Sequence, residues 1–248
     1  MKNKHNNLAN RFSTIAKLFF KEQINEPIAI LWTIISPCIF FYFMTLTTNT
    51  PRSFSNDYIT TSSWFFSYIA SSTALFGCSF YLIGRRESGF VRSFIYQRSS
   101  IALYLSAHIT GYSIIAICYG TLFYFLTRPT YGDYSPIEFL NLLLRFFICY
   151  TYFSSAGLLI ALLPIKFSTA STLFSITSFA MLSLSYLNAA PDNPIATLNS
   201  LNPLMLAQSF ISEPEHLFEA MLGAPVLLLL SSFTLYKYLP IQPVWSRY

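Results

Sequence analysis

The chain has 248 residues and a formal net charge of +5, with 15 Lys and Arg against 10 Asp and Glu. Hydrophobic residues make up 54% of the chain and charged residues 10%, whereas a soluble domain carries about 25% charged residues. A soluble core could not bury this much apolar surface, and a disordered chain would be far more polar. The composition therefore predicts an integral membrane protein.

The first predicted element is an amphipathic helix over residues 8–24. Its apolar face is formed by residues three and four apart: Leu8, Phe12, Ile15 and Phe19. Its opposite face carries polar and basic residues, among them Lys17 and Lys21. Such a helix lies flat on a membrane surface with its aromatic side chains among the acyl chains. A helix packed against another part of the protein is the alternative.

Six charge-poor segments follow, and each is long enough to cross a bilayer. They lie at or within residues 28–46, 58–84, 99–127, 139–163, 168–187 and 220–236. The sequence thus predicts an all-α membrane protein whose single transmembrane domain covers residues 1–248. An even number of spans places both termini on one side.

The distribution of Lys and Arg predicts the orientation. Most of them fall near the termini and in the loops on the same side, while the opposite loops hold only Arg52 and Arg128. Because cytoplasmic loops are enriched in Lys and Arg, we expect both termini in the cytoplasm and the chain in the inner membrane. Arg145 is predicted inside span four, either paired with Glu138 or Asp133, or reaching outward, or in contact with a substrate.

The loop after span two is unusual for a connection. Residues 85–97 combine charges with four apolar residues on one helical face: Phe90, Val91, Phe94 and Ile95. We expect a helix here that docks onto a cytoplasmic partner.

Catalytic motifs are missing from the sequence. It contains no GxxxxGK[ST] phosphate loop, no GxSxG and no HExxH. A membrane enzyme is therefore disfavoured, and nucleotide hydrolysis is not expected in this chain. Glu22 and Glu26 are interpreted as partners of nearby bases. The cysteines form no CxxC pair, so neither a metal nor a disulfide framework is expected.

Two spans carry stripes that could line a translocation path. In span two, small residues such as Ser67 and Ser71 recur at helical spacing, and in span five a hydroxyl stripe becomes aromatic. The candidate path residues are Ser67, Ser71, Ser171, Ser175, Ser178, Phe179 and Tyr186. The alternative is plain helix packing, with each hydroxyl bonded to its own helix backbone.

Residues 188–219 are long for a simple connection. Within them, 201–211 is apolar but too short to span. Asn202 can cap a helix that begins at Pro203, and Pro214 marks a second break. We expect the segment to re-enter the outer leaflet, and a solvated surface loop is the alternative.

Three motifs make the chain resemble the ABC-2 type permease family, the membrane subunits of certain ATP-binding-cassette transporters. The first is Phe20–Pro27 followed by Pro37, the second is Arg86–Gly89, and the third is Leu201–Leu204 with its Asn-Pro pair. The chain departs from the family at Phe90, where Thr is frequent, and it lacks the proline that usually closes the coupling helix.

The resemblance implies a homodimeric exporter with two separate ATPase subunits, which hold ATP and Mg. We expect no cofactor in this chain and no nucleic-acid partner. The residues implied in ATPase coupling are Arg86, Glu87, Gly89, Phe90, Phe94 and Ile95, and those of the interfacial helix are Phe12, Ile15, Lys17, Phe19 and Lys21. The path would lie near spans one, two and five, in contact with membrane lipid. We expect an amphipathic cargo such as an antibiotic or antimicrobial peptide. Export of a polysaccharide or glycolipid and a non-transporting membrane immunity protein remain the alternatives.

Overall fold

The computed structural model describes residues 2–47, 56–91, 98–187, 201–213 and 215–239, and every regular element in these residues is helical. Six helices are long and apolar enough to cross a membrane: Pro27–Leu46, Tyr58–Glu87, Ser100–Thr130, Pro136–Ile160, Phe167–Ser185 and Leu217–Tyr238. We call them spans one to six. Each boundary falls within about three residues of the prediction, because runs without charge coincide with the length that hydrocarbon requires. The predicted all-helical, six-span architecture is confirmed.

Two spans contain wide, π-helical stretches. Span one belongs to a continuous run of Pro27–Ile30, the π-helical Leu31–Ile35 and the helix Ser36–Thr47. Span two belongs to a run of Asn56–Ser72, the π-helical Thr73–Phe80 and Tyr81–Glu87. In span one the wide stretch ends just before Pro37, which has no N–H to offer the carbonyl four residues earlier. Such stretches are uncommon and occur often at functional sites.

The remaining helices are regular. Span three belongs to the helix Arg98–Thr127, which a short 3-10 turn, Arg128–Thr130, extends. Span four is Pro136–Ile160, span five belongs to Phe167–Leu187, and span six is Leu217–Tyr238. Span two is the most buried of the six, and spans one, five and six bury least. The core therefore forms around span two.

The N-terminal helix, Lys2–Ile24, packs against span three. Phe19 is almost completely buried and lies edge-on to His108 at 5.1 Å between ring centres. A Cβ at Gly111 would lie 3.4 Å from the Cβ of Phe19, so glycine allows the two helices to approach closely. Lys17 and Lys21 are exposed. Phe19 thus belongs to the protein core, which corrects the expectation that it dips among acyl chains, because span three covers this part of the apolar face.

A short helix, Pro203–Ser212, lies in the chain before span six. Asn202 caps it as predicted: its side-chain oxygen accepts from the Leu204 N–H at 3.1 Å, and its Nδ2 donates to the Met181 carbonyl at 2.9 Å. Leu204 and Ile211 are buried. The predicted helix is therefore present and packed, and the alternative of a solvated loop is wrong for residues 203–212.

Arg145 in span four holds the other end of this short helix. Its Nη1 donates to the carbonyls of Ile211 at 2.8 Å and Ser212 at 3.3 Å. A cation at this position satisfies carbonyls that have no partner within the helix. Glu138, one of the partners considered for Arg145, pairs instead with Arg128 at 2.7 Å. Arg145 therefore has a structural role in the fold.

Candidate substrate groove

A large, partly open groove of about 1970 Å³ lies between spans one, two, three and five and the end of the N-terminal helix. Its walls come from all five elements. Span one contributes Trp32, span two Thr73, Phe76 and Phe80, span three Tyr112 and Tyr119, span five Phe167, Ser178 and Phe179, and the N-terminal helix Glu22 and Gln23. The groove walls thus combine aromatic rings with hydroxyl and amide groups.

Three of the predicted path residues of span five line this groove: Ser175, Ser178 and Phe179. Ser175 and Phe179 are exposed in it, and Ser178 is half-buried. Ser171 is half-buried but is not part of the wall. The side chain of Tyr186 lies outside the described part of the chain. The serine stripe that becomes aromatic therefore faces the groove through its middle.

The predicted path residues of span two are placed differently. Ser67 and Ser71 are buried and donate to the backbone carbonyls of Ser63 at 2.8 Å and Tyr68 at 3.0 Å. Neither residue belongs to the groove wall. They match the packing alternative, in which hydroxyls bond to their own helix.

The groove face of span two comes instead from its π-helical stretch. Thr73, Phe76 and Phe80 line the groove, and sequence analysis did not single them out. The small-residue stripe assumed regular helical spacing, and a π-helical stretch rotates the residues that follow it. No local sequence pattern marks the π-helical stretch, so residue spacing alone could not predict which side chains of span two face the groove.

Aromatic contacts stiffen the wall between spans two and five. Phe80 stacks on Phe167 with ring centres 4.6 Å apart, and it meets Phe174 edge-on at 6.1 Å. Phe76 also approaches Phe174, at 6.1 Å. Such ring pairs add directional packing to simple burial. The apolar part of the groove is thus preformed rather than collapsed.

His108 supports the π-helical stretch from behind. Its Nε2 lies 2.8 Å from the carbonyl oxygen of Cys78, and since a carbonyl can only accept, Nε2 carries the proton. The imidazole is completely buried. It takes up a carbonyl of the wide stretch Thr73–Phe80, whose backbone pairing differs from that of a regular helix. His108 therefore helps to set the shape of the groove wall without lying in it.

Charged residues gather where the N-terminal helix meets the end of span two. Glu22 forms an ion pair with Arg85, which confirms the prediction that Glu22 pairs with a nearby base. The Arg85 guanidinium also lies over the Phe19 ring at 4.4 Å and the Phe90 ring at 5.3 Å. Glu26 lines the groove one turn further on and forms no ion pair among the described residues, so the same prediction is wrong for Glu26. Burial and the Glu22 carboxylate raise the pKa of Glu26, while Arg85 acts to lower it.

Arg86 joins this end of span two to the connection between spans four and five. Its guanidinium donates to the carbonyls of Ala161 at 2.9 Å, Leu163 at 3.0 Å and Ile165 at 2.6 Å. Its Nε donates to Glu87 at 3.0 Å. Both side chains are buried. Arg86 and Glu87, expected to contact an ATPase, thus make intramolecular contacts, and their ATPase role stays a prediction.

The helix of span two ends in the turn that follows. Gly89 has a φ of +77°, a conformation that favours glycine at a helix C-terminus. Phe90 is half-buried and Val91 is buried, so the chain turns back toward the protein after Gly89. Phe94 and Ile95 lie outside the described residues. The turn at Gly89 lies inside the helix predicted over residues 85–97, and Arg85, Arg86 and Glu87 belong to the end of span two. The predicted start of the coupling helix is therefore wrong, because the left-handed glycine ends the helix of span two, and residues 92–97 lie outside the described part of the chain.

The described residues form no metal site, and the comparison with known proteins gives a similar protein. Among the described residues, no three His, Cys, Asp or Glu side chains are grouped so that they could hold a metal ion. No protein-family model matches the chain. The chain is similar to Protein McbE of Escherichia coli, with 26% identity over 239 residues, which cover 94% of this chain and 97% of that protein. The similarity therefore concerns all six spans rather than one segment.

Proposed function

We propose that this chain is the membrane-spanning subunit of an ATP-driven exporter of the ABC-2 type, and that the groove is its half of the translocation path. The observation that carries the proposal is the groove itself. It lies against spans one, two and five, which are the spans that the family resemblance implies. Its walls combine aromatic and hydroxyl groups, and this mixture suits an amphipathic cargo.

A second copy of the chain would close the groove. The groove is partly open, and span one exposes large apolar side chains in its wall, including Ile28 and Trp32. A path between two copies would use both grooves and cover these side chains. This supports the homodimer implied by the resemblance, located in the inner membrane with both termini in the cytoplasm.

The energy for transport would come from two separate ATPase subunits that hold ATP and Mg. The sequence contains no phosphate loop of its own. The segment after Gly89 would dock onto the ATPase, and Arg86 provides a mechanical link. Because Arg86 bonds to three carbonyls between spans four and five, movement at the end of span two would be passed to span five, which packs beside span two in the groove wall.

The cargo is proposed to be an amphipathic molecule such as an antibiotic or antimicrobial peptide. Rings such as Trp32, Phe76 and Phe179 would contact its apolar part, and Ser175 and Ser178 would bond to its polar groups. A groove of about 1970 Å³ exceeds the few hundred to about 1,000 Å³ of ordinary small-molecule pockets. It therefore suits a large cargo.

Affinity purification of the tagged chain from its native membrane in mild detergent tests this function. We expect a cytoplasmic subunit with a phosphate loop to co-purify and to hydrolyse ATP. Phe94→Asp should remove this subunit while the chain still inserts into the membrane, because a charge replaces an apolar residue of the predicted docking face. Asp133→Asn, in the loop between spans three and four, is the matched control and should change nothing. Recovery of the intact chain without any ATPase would contradict the proposal.

A further inference from the structure

The structure assigns a binding subsite for an amine or guanidinium group to the groove, formed by the carboxylate of Glu26 and the side-chain amide oxygen of Gln23. This inference rests on the proposed function. The subsite would restrict the cargo to amphipathic cations that carry N–H donors. The subsite lies where the N-terminal helix ends and span one begins. The groove offers both hydrogen-bond acceptors and aromatic rings to a ligand.

Within the part of the chain that the structure describes, Glu26 differs from the other two carboxylates of this region because its side chain has no ion-pair partner. Glu22 pairs with Arg85, and Glu87 pairs with Arg86. Among the described residues, no hydrogen bond or ion pair engages the Glu26 side chain, which also caps no helix end. Its position in the groove wall makes its charge accessible to a ligand.

Gln23 provides the second acceptor. It is 5% exposed and lines the groove. Its Nε2 donates to the Tyr119 hydroxyl at 3.3 Å, which fixes the amide, while its Oε1 is buried and has no hydrogen-bond partner within the described residues. Buried polar atoms of native proteins are rarely left unpaired. Because the Nε2 hydrogen bond fixes the orientation of the amide, the Oε1 atom can accept a hydrogen bond from an N–H group of a ligand.

The two acceptors belong to one turn of the chain. The Glu26 N–H donates to the Gln23 carbonyl at 3.3 Å, so the residues are three apart on one turn and both face the groove. An ammonium or guanidinium group has several N–H donors and can bond to a carboxylate and an amide oxygen together. The helix is interrupted between Ile24 and Pro27. This interruption places the side chains of Gln23 and Glu26 at the groove.

The electrostatics of the groove agree with a cationic ligand. The charged groups that line it around Glu26 are Glu22, Glu87, Arg85 and Lys166. Arg85 is already engaged by Glu22, and burial together with repulsion from the Glu22 charge raises the pKa of Glu26. A bound cation would offset this repulsion and favour the charged carboxylate.

The rest of the groove suits an apolar body attached to the cation. Trp32, Tyr68 and Phe76 line the groove, and aromatic faces attract organic cations as well as apolar groups. Thr73 adds a hydroxyl that is buried and has no hydrogen-bond partner among the described residues. A ligand with one charged end and an aromatic or aliphatic body would use all of these groups.

Binding of a matched pair of probes to the full chain tests the subsite. Dansylcadaverine carries a primary ammonium and an aromatic ring, and its N-acetyl derivative keeps the ring and loses the charge. The chain is placed in nanodiscs made with phosphatidylcholine, a lipid without net charge. Probe binding is measured by equilibrium dialysis. We expect the wild-type chain to bind the amine about tenfold more tightly than the N-acetyl probe, a difference of about 1.4 kcal/mol.

Variants identify the residue responsible. Glu26→Gln should abolish the preference for the amine but leave binding of the N-acetyl probe unchanged, which also shows that the groove has kept its shape. Gln23→Met should weaken amine binding severalfold. Glu213→Gln, an exposed carboxylate outside the groove, is the matched control and should keep the full preference. Equal affinity of the wild-type chain for both probes, or a preference that survives in Glu26→Gln, would overturn the inference.

The outcome can be separated from that of the proposed function. If an ATPase co-purifies with the chain and no amine preference is found, the subsite is wrong and the exporter function stands. If the Glu26-dependent preference is found and no ATPase co-purifies, the subsite stands as an amine site and the exporter function is wrong.

Discussion

Replacing Arg145 by methionine should release the short helix Pro203–Ser212 from the bundle. The methionine keeps much of the apolar stem but removes the Nη1 group, which donates both hydrogen bonds to the helix end. The two bonds lost are the Nη1 contacts to Ile211 at 2.8 Å and Ser212 at 3.3 Å. The remaining contacts of the short helix, including the Asn202 cap, are untouched.

The size of the effect follows from these contacts. A hydrogen bond from a charged donor contributes about 1.5–3 kcal/mol, the longer second bond contributes less, and a cation at a helix C-terminus adds about 0.3–1 kcal/mol. Arg145 is half-buried, so solvent screening favours the lower part of these ranges. A total of about 2–3 kcal/mol raises the undocked fraction roughly 30- to 140-fold, at 1.4 kcal/mol for each factor of ten.

Cysteine labelling measures this fraction. Leu204 is 1% exposed, so a cysteine there, in a background without the native cysteines, reacts with a membrane-impermeant maleimide only when the short helix undocks. The labelling rate then follows the undocked population, and Arg145→Met should raise it by the factor above. Arg145→Lys keeps a charge and one donor and should raise it less than tenfold.

A cysteine at the exposed Glu213 serves as the control, and its labelling rate should be the same in all three backgrounds. If the Leu204 cysteine reacts equally fast with and without Arg145, this arginine does not hold the short helix, and the reasoning from its two carbonyl contacts is refuted.

Substitutions at three further positions test other contacts, each by thermal unfolding in detergent. Arg86→Met should lower the free energy of unfolding by about 3–5 kcal/mol, since three backbone carbonyls lose a charged donor. Arg86→Lys should lower it less, and equal losses in the two variants would argue against the contact of one guanidinium with three carbonyls. Gly157→Ala should cost about 1–3 kcal/mol by overpacking, because a Cβ there overlaps the hydroxyl of Ser79, and an unchanged midpoint would mean that spans two and four are further apart. His108→Leu should be less stable than His108→Asn, because leucine leaves the Cys78 carbonyl without its donor; the reverse order would contradict that role.

The spans and the short helix could be predicted because their signals are local. Charge-free runs give the length of a span, and the pair Asn202 and Pro203 specifies a helix start through side-chain capping and a fixed φ. The structure places that start at the predicted residue. Ser178 and Phe179 were found in the same way, since span five is a regular helix and spacing along it translates directly into a face.

The remaining features depend on residues far apart in the chain. Phe19 is buried because Gly111, more than 90 residues later, lets span three approach. Arg86 has its partners between spans four and five, and a pattern of charges around residue 86 cannot distinguish a buried arginine from a docking surface. The groove face of span two is set by the π-helical stretch Thr73–Phe80, which depends on support from His108 in the next span.

The central claim is that the groove is a path whose shape responds to ATP. The direct measurement is the labelling rate of a cysteine at Ser178, which lines the groove, in the complex with its ATPase in nanodiscs, with and without ATP. We predict that ATP changes this rate severalfold, and that a cysteine at Thr172, which is exposed on span five outside the groove, reacts at a constant rate. An ATPase that hydrolyses ATP while the Ser178 rate stays constant would contradict the account.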